Sequence, residues 1–301
     1  MKQFDARILA NRQVSESFRE LVLDWRAEPP EPGQFLTLRV SPRFDPLLRR
    51  PFAFSAYSPE RGAASVVYQV RGSATALLSE LSPGSLIDAI GPLGRPFPAP
   101  MEGERAILAG GGIGLGPILF LAKELERRAN AGAGHEPLVL LGFRSASFVP
   151  ELELPDSAIL CTDDGSAGFR GTPHSRLASD PSLTAPARLY GCGPAAMLAA
   201  LAALARERGW EASLSAEQWM ACGVGACMGC ALERADGKGF LRACADGPVF
   251  GRDEIDWAAE AARAAPPPRA AAKGAFLGGD GPAEARPGPA AGEAAGRKER
   301  P

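Results

Sequence analysis

Four of the six cysteines fall between Cys222 and Cys244, and no other feature restricts so strongly what this chain can fold into. They read Cys222-Gly223-Val224-Gly225-Ala226-Cys227-Met228-Gly229-Cys230, with Cys244 after thirteen intervening residues. The pattern C-x4-C-x2-C…C is one that holds a 2Fe–2S cluster. Two irons need four thiolates converging from a tight loop, whose backbone must come close enough to donate N–H bonds to the sulfurs. Gly223, Gly225 and Gly229 permit that approach because they carry no β-carbon. The expected ligands are therefore Cys222, Cys227, Cys230 and Cys244. A structural zinc site is the competing reading, but four-cysteine zinc sites usually show two C-x2–4-C pairs. Here one wide and one narrow gap share a cysteine.

The remaining sequence divides by texture. Its 301 residues suffice for two ordinary domains and a small third module. Up to about residue 100, short alternating segments lie between turns: Phe18–Asp24, Gln34–Val40 after Pro32-Gly33, Ala64–Val70, and Ser85–Ile90 after Pro83-Gly84. Such spacing predicts a small antiparallel barrel. Beyond Arg105 strands alternate with helices, which predicts a parallel α/β domain. The strands are Arg105–Ala109, Pro137–Gly142, Ala158–Thr162 and Ala187–Gly191; the helices run from Pro117 to Ala129 and from Ala195 to Arg208. From Ala264 onward Ala, Pro, Gly and charge dominate, and a disordered tail is expected. The net charge of −2 gives no support for nucleic-acid binding. Met1-Lys2-Gln3-Phe4-Asp5 lacks a signal peptide's apolar core, and no apolar run reaches membrane-spanning length. The expectation is a cytoplasmic protein that binds neither membrane nor nucleic acid. In that reducing compartment the cysteines point to metal rather than disulfides.

Two glycine-rich junctions carry the next signal. Gly110-Gly111-Gly112-Ile113-Gly114 joins a predicted strand to a predicted helix, and Gly191-Cys192-Gly193-Pro194 does the same at what reads as the far end of the same sheet. Bare backbone at a helix N-terminus suits a pyrophosphate, and two such junctions can face one crevice at the carboxyl edge of the strands. A tight structural turn is the alternative for each. In the barrel half, Arg49-Arg50 precedes Pro51-Phe52-Ala53 and can present a guanidinium to a diphosphate; a solvated charge pair is the plainer reading. Cys161 reads as an inert core thiol. Trp219 is placed either as a shield over the cysteine loop or as ordinary packing. Asp163 and Asp164 either bind a cofactor's ribose hydroxyls or cap a turn.

These signals, in this order, resemble the ferredoxin-NADP reductase superfamily and, within it, the electron-transfer subunits of dihydroorotate dehydrogenase B. The resemblance covers residues 1 to about 250. It rests on Glu217-Gln218-Trp219-Met220-Ala221 running into the cysteine loop, and on Leu47-Leu48-Arg49-Arg50-Pro51, Gly91-Pro92-Leu93-Gly94 and Thr162-Asp163-Asp164-Gly165-Ser166. It implies a multi-domain β plus α/β protein: a flavin-binding barrel over 1–100, a nicotinamide-binding α/β domain over 101–214, a 2Fe–2S module over 215–252, and a helix remnant with a disordered tail over 253–301. FAD would lie against Arg50, Pro51, Phe52 and Ala53, touch Val67, Tyr68 and Gln69, and have its phosphates held by Ala74 and Thr75 in the Gly72–Thr75 turn. NAD would meet Gly110, Gly111, Gly112 and Gly114, with Cys192, Gly193 and Pro194 near the nicotinamide. Two departures stand out: this chain has Ala53 where the family usually has a Ser or Thr that can hydrogen-bond the flavin N5 region, and Ala74 where it often has Gly.

The activity so implied passes electrons from NADH through FAD and the cluster, with no protein acid or base. They go to an FMN-containing dihydroorotate dehydrogenase catalytic subunit in pyrimidine biosynthesis, the whole being a heterotetramer. Reduction of ferredoxin, or a hydrogenase-type flavin subunit, is the alternative within the class. A non-catalytic redox-sensing module is the alternative outside it.

Overall fold

Alternation of apolar and polar residues builds the first half. In the computed structural model, which describes residues 1–43, 45–132 and 134–264, six strands close into an antiparallel barrel. They are β1 (Lys2–Gln13), β2 (Phe18–Asp24), β3 (Phe35–Arg39), β4 (Arg50–Ser58), β5 (Ala63–Gln69) and β6 (Leu86–Leu93), with helix α1 (Ser73–Glu80) between the last two. Around the barrel their order is β1-β2-β5-β4-β3-β6. Ala6, Ile8, Leu21, Leu23, Leu36, Leu38, Phe54 and Val66 fill its interior at 1% exposure or less. Trp25 meets Phe54 edge-on at 4.9 Å and so plugs one end. The long strand β1 and helix α1 were not among the expected elements, although Phe4, Ala6 and Ile8 already alternate.

The second half is a seven-stranded sheet of order β10-β9-β8-β7-β11-β12-β15. In chain order its elements are β7 (Arg105–Gly111), α2 (Leu115–Asn130), β8 (Leu138–Phe143), β9 (Ile159–Thr162), β10 (Phe169–Arg170), α3 (Pro173–Ala178), β11 (Ala187–Cys192), α4 (Ala195–Arg208) and β12 (Glu211–Ser215). After the cysteine loop come the hairpin β13 (Ala231–Glu233) and β14 (Phe240–Arg242), then β15 (Val249–Gly251) and α5 (Trp257–Ala264). Strand β15 returns antiparallel onto β12, so the chain leaves the sheet for the cysteine loop and comes back to it. Ala264 ends α5, and the rest of the expected tail lies outside the described residues.

Strand β11 is not at the far end of the sheet from β7; the two are paired directly, Cys192 opposite Gly110. From β7 the chain winds one way to β8, β9 and β10, and from β11 the other way to β12. The boundary between β7 and β11 is therefore the switch point where α/β sheets open a crevice.

Contacts between the halves are dense. Tyr190 of β11 donates to the Pro98 carbonyl at 2.9 Å and meets Phe97 edge-on at 5.7 Å. Gly116 of α2 lies against Ser55 of β4, where a β-carbon would come within 3.3 Å of the serine's own. Glu104 and Arg188 form a largely buried ion pair at 2.8 Å beside the β7–β11 ladder. Burial pushes the Glu104 carboxyl up, but Arg188 and the Met101 N–H outweigh it and hold the group below its ordinary value. A carboxyl so depressed contributes stability above its unfolded pKa, about 4.3, and loses it as falling pH passes through the folded value. Urea midpoints of the wild type and Glu104→Gln should therefore differ at pH 7 and converge below about pH 4.

Candidate cofactor sites

The cysteine loop is shaped by backbone that points inward. Gly223 and Gly225 adopt left-handed φ values of 71° and 85°. The third left-handed residue is Met228, at 59°, rather than Gly229. Each sulfur accepts at least one backbone N–H: Cys222 from Val224 at 3.5 Å, Cys227 from Gly229 at 3.4 Å, Cys230 from Cys244 at 3.4 Å and Cys244 from Gly225 at 3.1 Å. Such bonds favour the thiolate, the form that binds metal. Burial pushes the Cys222 thiol up, yet the N–H groups of Val224, Cys227 and Ala226 more than offset it, leaving the thiol at about 6. Cys244 is pushed up to about 12 by burial and by its neighbour Cys230, whose sulfur is 3.2 Å away.

Among the described residues no three His, Cys, Asp or Glu side chains close on one point as a single ion requires. The Cys230 and Cys244 sulfurs pair at 3.2 Å, and the Cys227 N–H and side chain both help hold the Cys222 thiol down. Four sulfurs that each receive backbone N–H bonds fit an iron-sulfur cluster better than one zinc. Arg242 braces the loop by donating to the Gly225 carbonyl at 2.8 Å while its other nitrogens grip Asp246. Trp219 does not shield this site, being 90% exposed.

The barrel residues expected to meet a flavin divide into available and committed groups. Arg49 is ion-paired with Asp88, whereas Arg50 caps the Leu48 carbonyl at 2.7 Å and joins no ion pair among the described residues. Pro51, Phe52 and Ala53 follow along β4 as half-buried surface. Val67 and Tyr68 turn their side chains into the protein. Val67 packs with α2 residues, and the Tyr68 hydroxyl donates to Asn11 at 2.8 Å and accepts from Arg19 at 3.2 Å. Burial pushes that phenol up. Only the backbone of these two residues, and the half-buried Gln69, remain for a ligand. Gly72 to Thr75 is the start of α1 rather than a free turn. The Thr75 hydroxyl accepts the N–H groups of Arg71 and Gly72 at 2.9 and 3.2 Å, and Ala74 is buried. What α1 offers an anion is its first-turn N–H groups, which have no partner within the helix.

The two glycine junctions meet side by side. A β-carbon on Gly114 would lie 2.2 Å from the Cys192 carbonyl, and one on Gly111 would lie 2.7 Å from the Met197 sulfur. One on Gly193 would lie 3.1 Å from the Gly111 α-carbon, and one on Gly110 would lie 3.0 Å from Leu141. Gly111, Gly114 and Gly193 let the junctions pack on each other, while Gly110 fits against Leu141 and α2. Gly112 alone, at φ 53°, has open space beside it. Pro194 is exposed at the N-terminus of α4, and burial pushes the half-buried Cys192 thiol up to about 12, so it stays protonated. Cys161 is fully buried and pushed up to about 11, an inert core thiol as expected. At the ends of β8 and β9, Asp164 accepts from the Ser166 N–H at 3.0 Å and its hydroxyl at 2.6 Å, so its carboxylate caps a turn.

Comparisons with known proteins agree with this layout. Residues 217–256 match the family described as the iron-sulfur cluster binding domain of dihydroorotate dehydrogenase B. The chain is 34% identical over 253 residues to the dihydroorotate dehydrogenase B (NAD(+)) electron transfer subunit of Caldanaerobacter subterraneus subsp. tengcongensis, spanning 83% of this chain and 97% of that protein. It is 37% identical over 256 residues to the subunit of the same description from Geobacillus thermodenitrificans, spanning 82% and 96%. A solved NADH-dependent reduced ferredoxin-NADP oxidoreductase superimposes with a TM-score of 0.72 at 26% identity, covering 86% of this chain and 92% of that one. A ferredoxin NADP+ reductase from Neisseria gonorrhoeae, at 14% identity and a TM-score of 0.54, shares the fold.

The glycine geometry separates two variants. Gly114→Ala must drive the Cys192 backbone away, so its thermal midpoint should fall by many degrees. Gly112→Ala should cost only about 1–2 kcal/mol for its left-handed backbone. Its β-carbon enters the open crevice, so NADH binding measured by calorimetry should weaken while the fold survives.

Proposed function

This chain belongs to the family of dihydroorotate dehydrogenase B (NAD(+)) electron transfer subunits, and we propose that it works with FAD, one 2Fe–2S cluster and NAD(H) against an FMN-containing catalytic dihydroorotate dehydrogenase. It is the oxidoreductase component that carries electrons, and no helix among the described residues is long and apolar enough to cross a membrane. When bound, the flavin exchanges a hydride with the nicotinamide and releases electrons singly, and the cluster carries one at a time.

The residues divide this work. Arg50 pairs with the FAD diphosphate, with the first-turn N–H groups of α1 at Ala74 and Thr75 beside it. Pro51, Phe52 and Ala53 face the ring, with the Val67–Gln69 backbone at its edge. Gly112, Cys192, Gly193 and Pro194 border the nicotinamide at the switch point, and Gly110, Gly111 and Gly114 keep that crevice narrow. Cys222, Cys227, Cys230 and Cys244 hold the irons. The observation that carries the reading is the place of the cysteine loop: Gly223 packs on Thr37 of β3, the strand paired with Arg50–Ala53 of β4. No titrating side chain is needed to move a proton between donor and acceptor. We assign the boundaries 1–100, 101–214 and 215–252 to the flavin, nicotinamide and cluster parts, and a heterotetramer to the complex with the catalytic chain.

Two experiments test this. Alone with NADH, the chain should bleach its flavin and reduce artificial acceptors without oxidising dihydroorotate. Adding the catalytic subunit from the same organism should create NAD-dependent dihydroorotate oxidation, which Cys230→Ala should abolish while direct reduction of the flavin persists. Efficient reduction of ferredoxin instead would favour the alternative to which the structural likeness to the NADH-dependent ferredoxin-NADP oxidoreductase points. Separately, Arg50→Ala removes a charge-assisted contact of roughly 1.5–3 kcal/mol and should weaken FAD binding by about one to two powers of ten. Unchanged FAD retention would remove Arg50 from the site.

A further inference from the structure

Thr37 is 2% exposed, and its hydroxyl is buried with no hydrogen-bond partner. Such a hydroxyl is destabilising, and valine would fill the same volume on a strand without that cost. The side chain does not face the barrel interior. Its neighbours Leu36 and Leu38 do, so Thr37 and Phe35 point outward. Phe35 joins the buried core that holds Cys230 and Cys244, and a β-carbon on Gly223 would lie 2.9 Å from the Thr37 methyl. The orphan hydroxyl thus lies on the face of β3 that the cysteine loop covers. Pro51, which has no N–H to offer, is opposite it on β4. Solvent does not reach the oxygen, so a partner for it must be resident within the protein.

We propose that Thr37 is a tuning residue for the iron-sulfur site, its hydroxyl donating a hydrogen bond to a sulfur of the cluster held by Cys222, Cys227, Cys230 and Cys244. This rests on the reading that the loop holds a 2Fe–2S cluster. Hydrogen bonds to cluster sulfur stabilise the more negative, reduced state and raise the reduction potential. Thr37 therefore joins the four backbone N–H donors as a side-chain donor, supplied by the barrel rather than by the loop.

The test is a potentiometric titration of the loaded chain, following the cluster by electron paramagnetic resonance and the flavin by absorbance. Thr37→Val keeps the methyl packing on Gly223 and removes only the donor. Its cluster should be about tenfold harder to reduce, a downward shift of about 59 mV for one electron. Thr37→Ser, which keeps the hydroxyl, should retain the wild-type cluster potential, and the flavin potential should stay in place in both. An unshifted cluster potential in Thr37→Val, or a shift confined to the flavin, would overturn the proposal. If Thr37→Val cannot be loaded, Thr37→Ala and Thr37→Ser decide: a lowered Ala beside an unmoved Ser supports it, and equal values overturn it. Wild-type protein without iron and sulfide would instead remove the reading beneath it.

Discussion

Phe35, Gly94 and Pro248 meet at the point where barrel, sheet and cysteine loop join, and the placement of every site depends on that contact. Gly94 has a left-handed φ of 77°, and a β-carbon there would lie 2.6 Å from Pro248 and 2.9 Å from Phe35. The Arg95 N–H donates to the Gly247 carbonyl at 2.6 Å, and Pro248 leads directly into β15, which pairs with β12. Phe35 itself enters the core that also contains Leu232, Cys230 and Cys244. Burying such a ring is worth roughly 1.5–3 kcal/mol, about as much as a small module can draw from one residue. Strand β3 is buried on both faces as a result: Leu36 and Leu38 close the barrel, while Phe35 and Thr37 carry the cysteine loop.

That junction suits the proposed task, which asks for placement and electrostatics rather than for a catalytic acid or base. In the proposed reaction that work is positional and electrostatic: rings would have to stack, and each carrier would have to sit at a potential from which the next can draw. The backbone supplies most of the electrostatics. Inward N–H groups meet all four cysteine sulfurs, and a row of glycines draws the junctions after β7 and β11 into contact. Side chains act mainly as braces, as Arg242 does on the loop and Glu104 with Arg188 do on the sheet.

Features governed by short-range rules were legible in the sequence. Helix α4 was read to the residue because Pro194 starts it and Gly209, at φ 67°, ends it in the left-handed conformation. The cysteine spacing and most barrel strands followed from local pattern, whereas the long β1 did not. What escaped depends on contacts distant in sequence. Nothing local says that β11 lies beside β7, because strand order is set by how helices cover the sheet. Nor does local pattern tell that β5 is covered on both faces: Val67 packs with α2 and Tyr68 turns into the barrel core, so a ligand would meet their backbone rather than their side chains. Helix α1 was missed because eight residues after Gly72 carry too little periodicity to declare themselves. Nothing in the sequence marks Met228 as the residue that takes a left-handed backbone beside Gly229. Thr37 carries no motif; only its buried, partnerless hydroxyl singles it out.

The central claim, that one chain holds a two-electron carrier and a one-electron carrier in fixed register, is tested most directly by counting electrons. An anaerobic reductive titration of the purified chain, followed by absorbance and electron paramagnetic resonance, should consume about three electrons per chain. About one of them should appear as a paramagnetic iron-sulfur signal. Uptake of only about two electrons, with no such signal at full reduction, would contradict the account.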